Sequence, residues 1–167
     1  EESSKVESPF ALYMVTARFG HPPSSTADFW LAALRAFGVS AADSTAGTMR
    51  QVRDAVRTGA PRALFDQLKS DLGVSSEELC EVVGMTPRTL ARRTDRFKPD
   101  ESERLLRVAG VFGKALDVLE DTIAASQWMS RPKPALGGLS PLSCCDTELG
   151  AREAEALLGR IEHGVFS

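Results

Sequence analysis

Between Thr86 and Lys98 stand Arg88, Arg92, Arg93, Arg96 and Lys98, opposed only by Asp95. That is a local charge of +4 in a chain whose net charge is -3. Guanidinium groups gathered on one short helix can meet phosphate oxygens and the acceptor edges of guanine. The bland alternative is a solvated helix face that binds nothing. What precedes the cluster favours the first reading. Ser75 and Glu78 have capping-box spacing, and Leu79, Val82 and Val83 form the apolar side of the helix they open. Cys80 is small enough for a close helix crossing, and Gly84 permits the left-handed turn that ends the helix. Thr86 then caps a second helix, Pro87 takes its first position and Leu90 points back to the core. Helix, glycine turn and capped helix make a helix-turn-helix over 74–93. It nominates Thr86, Arg88, Thr89, Arg92, Arg93 and Arg96 for contact with DNA. Proteins that read DNA this way normally do so as dimers.

Other chemistries find little support. No Ser/His/Asp arrangement, metal-ligand spacing or phosphate-binding glycine loop is present, so no catalytic residue, metal or cofactor is expected. Glu77 with Glu78, and Glu101 with Glu103, read as negative charge at helix N-termini. His163, in a last helical turn, reads as a partner of the helix dipole. Cys80, Cys144 and Cys145 lack a Cys-x-x-Cys pattern, and neighbouring cysteines bridge poorly. Small buried thiols in a reduced, cytoplasmic protein are the expectation. No stretch approaches the roughly 18 apolar residues of a membrane span, so no membrane partner is expected. The apolar run over 10–15 is too short, and lacks the basic flank, for a secretory leader. Hydrophobic residues make up 43% of the 167, enough for a buried core.

The elements that must position these residues are helical. Residues 1–9 are polar, 10–15 could be strand or helical turn, and 20–25 form a loop. A helix capped at Ser25, Thr26 or Asp28 carries Phe29, Leu31, Leu34 and Phe37, and Gly38 closes it. Met49, Val52 and Val56 recur at helical spacing up to Gly59. Pro61 falls in the first turn of a helix bearing Leu64, Phe65, Leu68 and Leu72, which Gly73 stops. Longer helices are expected over 100–119, with Leu105, Val108, Ala109, Phe112, Leu116 and Leu119 inward, and over 121–130. A last helix from 146 or 147 to 163 turns Leu149, Ala154, Leu157, Leu158 and Ile161 inward. No strand alternation is convincing. The fold class is all-α, with roughly seven to nine helices.

The last third carries a second pattern. Trp128 is followed by Pro132, Pro134, Leu136, Gly137, Gly138, Ser140, Pro141 and Leu142. The chain then finishes Gly159-Arg160-Ile161-Glu162-His163-Gly164-Val165-Phe166-Ser167. The prolines stiffen this segment, and Gly137-Gly138 allows a sharp turn or a close backbone approach. Gly159 costs a helix interior about 1 kcal/mol relative to alanine. It marks either an early helix end or a place where another element comes close. Most chains end in polar, frayed residues. An apolar Val165-Phe166 pair suits a docked segment, on the chain's own core or on a partner.

These blocks, with the run Glu101-Ser102-Glu103-Arg104-Leu105-Leu106-Arg107 and the helix start Asp146-Thr147…Gly150-Ala151-Arg152, resemble the Xre-type, ParS/MbcA-like antitoxins of RES–Xre toxin–antitoxin modules. The likeness covers residues 35–167. It implies a helical Xre-like region over 35–120 and a toxin-binding domain over 121–167, while residues 1–34, outside the likeness, are read as a partly ordered N-terminal extension. It implies no enzyme. The partner would be a RES-domain toxin, folded like an ADP-ribosyltransferase and acting on NAD. The antitoxin covers the toxin's NAD pocket, and the complex represses its own operon. A homodimer within a toxin–antitoxin hetero-oligomer and operator DNA complete the implied assembly. On this likeness Leu136, Gly137, Gly138, Arg160, Glu162, His163, Val165, Phe166 and Ser167 are the toxin-contacting candidates. Arg160 is the polar contact, Val165 and Phe166 the apolar anchors. The chain departs from the family at Cys144-Cys145, where larger aliphatic residues are usual, and slightly looser packing follows. The rival reading is a stand-alone helix-turn-helix regulator with a C-terminal dimerisation or ligand domain.

Overall fold

The computed structural model describes residues 56–164 together with Asp54. The expectations for residues up to 53, including the helix of Phe29 to Phe37, lie outside the described residues. So do Val165, Phe166 and Ser167. Among the described residues the chain is all-α, as expected. Its one pairing of strand type is an isolated antiparallel bridge between Pro61 and Arg96.

Helical residues 56–58 stop at Gly59, whose φ of 93° is left-handed. Helix α1, Arg62–Leu72, buries Leu64, Phe65, Leu68 and Leu72 and ends at Gly73. Pro61 is not in its first turn. It is the N-cap, extended at φ -70° and ψ 148°. The bridge accounts for this: the Arg62 N–H donates to Asp95 O at 2.9 Å and the Phe97 N–H to Ala60 O at 2.9 Å, which holds residues 60–62 in an extended path.

Helices α2, Ser76–Val83, and α3, Pro87–Arg92, follow. Helix α4, Pro99–Leu119, runs through the middle of this unit. It buries Leu105, Leu106, Val108, Ala109, Val111, Phe112, Ala115 and Leu116, far more than one stripe, because α1, α2, α5 and α7 all pack on it. Leu119, expected inward, is half-buried. Helix α5, Thr122–Ser130, is capped by Asp121. A 3-10 turn, Pro134–Leu136, and the single-turn helix α6, Pro141–Cys144, lead to α7, Glu148–Glu162.

Helix α7 buries Ala151, Ala154 and Leu158, while Leu157 and Ile161 are half-buried. Leu149 corrects the sequence expectation, since it is 70% exposed. It sits in the first turn, outside the Ala151, Ala154 and Leu158 ridge that meets the core. Small residues on that ridge let α7 lie close to α4.

All three cysteines are free and buried. The Cys145 thiol donates to Pro141 O at 3.3 Å. Burial, and then the adjacent Cys144, push it up to about 12 from an ordinary 9.0. The native state therefore favours the protonated thiol. Stability carried by this group is intact below pH 9.0 and is lost as pH climbs towards about 12, because the unfolded chain ionises first. A thiolate-specific reagent at pH 8 should leave Cys145 unlabelled in native protein and modify it in denaturant, as read by mass spectrometry. Rapid native labelling would contradict this burial.

Candidate functional site

The helix-turn-helix is built as its residue types require. Ser75 Oγ accepts from the Glu78 N–H at 3.1 Å, and Glu78 Oε2 accepts from the Ser75 N–H at 2.8 Å, a complete capping box. Gly84 ends α2 at φ 76°, and the Met85 N–H donates to Cys80 O at 2.9 Å. Thr86 Oγ1 accepts from the Thr89 N–H at 3.1 Å, and the two threonine hydroxyls lie 3.0 Å apart. Such caps stabilise a helix by about 1 kcal/mol each. Arg62 braces the far end of α3, donating from Nη1 to Leu90 O at 2.8 Å and to Arg93 O at 3.2 Å.

The four arginines of this region divide into two pairs. Arg88 and Arg92, four residues apart on α3, are exposed and make no hydrogen bond or ion pair among the described residues. Thr86 is also exposed, and Thr89 is half-buried. Arg93 is half-buried and engaged inside the fold, while Arg96 is exposed and held to it by a single backbone carbonyl. Arg93 Nη2 pairs with Glu101 Oε1 at 2.8 Å, with the glutamate side chain only 7% exposed. Arg96 Nη1 donates to Gly59 O at 2.8 Å. The cations are not gathered on one helix as expected: α3 ends at Arg92, so Arg93, Arg96 and Lys98 lie beyond it. Arg88 and Arg92 are the unpaired guanidiniums on α3 itself, and exposed Arg96 keeps its charge, since a carbonyl accepts without neutralising it.

Sequence reasoning missed why Glu101 matters. Its second oxygen accepts from the Lys98 N–H at 2.8 Å, the helix N-terminal role expected of it. The first oxygen holds Arg93, which spacing alone does not reveal. The next residue, Ser102, is fully buried. It accepts from the Ala60 N–H at 2.8 Å and donates to Lys98 O at 2.7 Å.

The C-terminal block is a closed, hydrogen-bonded loop. The Lys133 N–H donates to Leu139 O at 2.9 Å, and the Gly138 N–H to Lys133 O at 3.0 Å. Gly137 and Gly138 are left-handed, at φ 65° and 83°, and a Cβ on either would meet nothing within 4 Å. The pair makes a sharp turn, and the space above it is open. Leu136 is buried beneath it. The Lys133 ammonium lies 5.7 Å from the centre of the Trp128 ring. Burial, then the charge of Arg131, hold that ammonium below the ordinary lysine value.

The 3-10 turn packs against α7, so Leu136 and α7 adjoin. Gly159 lies inside α7 rather than at an early end, and the space above it is open. Arg160 is exposed and unpaired among the described residues. Glu162 is exposed beside Asp117, whose carboxyl is held up by partial burial and by Glu162. His163 is the exposed C-cap, its N–H donating to Gly159 O at 3.1 Å. The structure thus brings the Leu136–Gly138 turn to the helix that carries Arg160 and Glu162. Arg107 was not anticipated. Its guanidinium donates to Cys145 O at 3.2 Å and Asp146 O at 3.1 Å and pairs with Glu148 at 3.4 Å, tying α4 to the start of α7.

Residues 51–110 match the family model of the antitoxin Xre-like helix-turn-helix domain. Residues 114–164 match that of the antitoxin Xre/MbcA/ParS C-terminal toxin-binding domain. The chain is 38% identical over 118 residues to "Antitoxin Xre" of Yersinia enterocolitica, covering 68% of this chain and 80% of that protein. It is 35% identical over 113 residues to "Antitoxin Xre" of Photorhabdus laumondii, covering 65% and 76%. A "Prs ADP-ribosylating antitoxin" of a Sphingobium species is 23% identical over 124 residues, covering 67% and 78%.

The division of the arginines is open to test. Arg93→Ala strands the buried Glu101 carboxylate and should lower stability by about 3 kcal/mol in urea unfolding, the lower end of the range of about 3–5 kcal/mol for breaking a buried pair. Arg88→Ala with Arg92→Ala should change stability by less than about 0.5 kcal/mol, as for surface positions. Equal losses in the two variants would refute the division.

Proposed function

This chain belongs to the Xre/MbcA/ParS family of antitoxins, and from that premise we propose that it neutralises a RES-domain toxin by covering the toxin's NAD pocket with its C-terminal region. Antitoxins of this family are binding proteins, not enzymes. The observation that carries the reading is the toxin-binding match over 114–164, which spans the loop 133–139 and helix α7 where they pack together. The ADP-ribosylating wording in one relative's name points the same way, because ADP-ribosylation draws on NAD.

The physical case starts from preorganisation. A protein that inhibits by filling a pocket gains affinity when its surface is ordered in advance. The loop 133–139 is closed by its own backbone hydrogen bonds, and its 3-10 turn, Pro134–Leu136, packs on α7. Arg160 supplies a planar, unpaired fork. Against carboxylates lining a nucleotide pocket, or in the place of the cofactor's phosphates, it would form charge-assisted bonds. Gly159, with nothing above it, lets the partner's surface approach the α7 backbone. Glu162 and His163 frame the helix end. Val165 and Phe166 would be the apolar anchors of the contact, with Ser167 beside them.

The same reading assigns operator binding to α3, through Arg88 and Arg92 on phosphate oxygens or guanine edges, with Thr86 and Thr89 at the helix start. Arg93 acts as a brace behind it, and exposed Arg96, with one N–H held by Gly59 O, can still reach a phosphate. A homodimer within a toxin–antitoxin hetero-oligomer would set two such helices against successive half-sites. The setting is cytoplasmic, and no described helix is long and apolar enough to cross a membrane.

Two experiments test the two halves. Helix α7 ends at Glu162, so removing residues 163–167 leaves that helix whole. That truncation should abolish protection of cells expressing the toxin and leave the thermal unfolding curve unchanged. Full protection by the truncated chain would refute occlusion by the tail. Arg88→Ala with Arg92→Ala should weaken operator binding and reduce the slope of log affinity against log salt by about 2, one per lost phosphate contact. An unaltered slope and affinity would remove α3 from the operator interface.

A further inference from the structure

Three large apolar side chains are exposed among the described residues: Ile123 at 68%, Leu139 at 55% and Leu149 at 70%. All three fall inside residues 114–164 and none within the helix-turn-helix match. Ile123 and Leu149 stand singly in the first turns of α5 and α7, where scattered exposed leucines and isoleucines are ordinary. Leu139 differs in how it is held.

Both backbone groups of Leu139 are committed. Its carbonyl accepts from the Lys133 N–H at 2.9 Å, and its N–H donates to Leu136 O at 3.2 Å. The loop is fastened below by buried Leu136 and at its entrance by Lys133 on the Trp128 ring. The rings of Pro132, Pro134 and Pro141 restrict the backbone before, within and after it. A fixed backbone therefore presents this leucine to solvent, so little order remains to be imposed when it is buried. Two residues before the Lys133–Leu139 bond, Arg131 is exposed and has no ion-pair partner among the described residues.

We propose that Leu139 is an apolar anchor of the toxin interface, seated in an apolar pocket on the toxin's surface whose rim carries carboxylates facing Arg131. The proposal rests on the toxin-binding reading and adds to it a contact outside the C-terminal tail. An apolar centre ringed by charge is the usual arrangement of interface hot spots. The anchor and the tail would grip the toxin at separate points. Loss of either then weakens binding without unfolding the chain.

The test uses the full chain and purified cognate RES-domain toxin, with affinity measured by calorimetry. Leu139→Ser should weaken binding by about 30-fold or more, as truncated hot-spot residues do. Leu139→Met, which keeps the apolar volume, should stay within about threefold of the unsubstituted chain. Arg131→Glu should weaken binding by about tenfold, and more steeply at low salt. The unfolding temperatures of Leu139→Met and Arg131→Glu should match that of the unsubstituted chain, so these two arms stand even if the serine disturbs the loop. If Leu139→Ser binds within about threefold, the anchor is refuted while the toxin reading stands. If the unsubstituted chain itself does not bind, the toxin reading falls and the anchor with it.

Discussion

The polar side of helix α4 is the constraint on which the rest of this structure depends. Four of its residues, within two turns, each fasten a different segment. Glu101 holds Arg93 just after α3. Ser102 satisfies the buried Ala60 N–H ahead of α1. Arg104 Nη1 donates to Val83 O at 3.0 Å, closing the last turn of α2 beside Gly84. Arg107 caps the carbonyls of Cys145 and Asp146 before α7. A buried carboxylate is costly to desolvate and survives only when its lone pairs are met. Glu101 meets them with one guanidinium and one backbone N–H, and both are lost if the α3–α4 connection shifts.

This arrangement explains how one small helical unit can carry two surfaces of different chemistry. On the helix-turn-helix side the uncommitted groups are cations, Arg88 and Arg92. On the C-terminal side they are the exposed Leu139 at the base of the loop and the unpaired Arg131 and Arg160. Neither set is needed to hold the fold, because separate residues do that work: Arg62, Arg93 and Arg96 on one side, Arg107 and buried Leu136 on the other. Groups free of structural duty can meet partners without rearrangement, which is what the proposed operator and toxin interfaces both require.

Much of the fold was legible in the sequence, and the reasons are local. Capping boxes, glycine stops and apolar recurrence at three and four act over one or two turns. They marked α1, α2, α4, α5 and α7 to within a residue or two, whereas α3 ends at Arg92, short of the basic run to Lys98. Pro61 was misplaced by one position because a distant pairing with Arg96 holds it extended. Leu149 was expected inward because apolar spacing cannot tell a helix's first turn from its packed middle. The helix-turn-helix was recognisable from Ser75, Gly84, Thr86 and Pro87. Which of its arginines remain free was not, since the answer depends on Glu101 and Gly59, contacts of long sequence range. The run 101–107 stood out as part of a resemblance, and its physical meaning, four fasteners on one helix, appeared only in three dimensions.

Hydrogen exchange of the full chain, alone, with operator DNA and with toxin, tests the separation of the two surfaces most directly. The account predicts that DNA slows exchange around residues 86–92, toxin slows it around 133–139 and 157–163, and α4 is the most protected helix in all three states. Protection of 86–92 by toxin in the absence of DNA, with 133–139 unchanged, would contradict it.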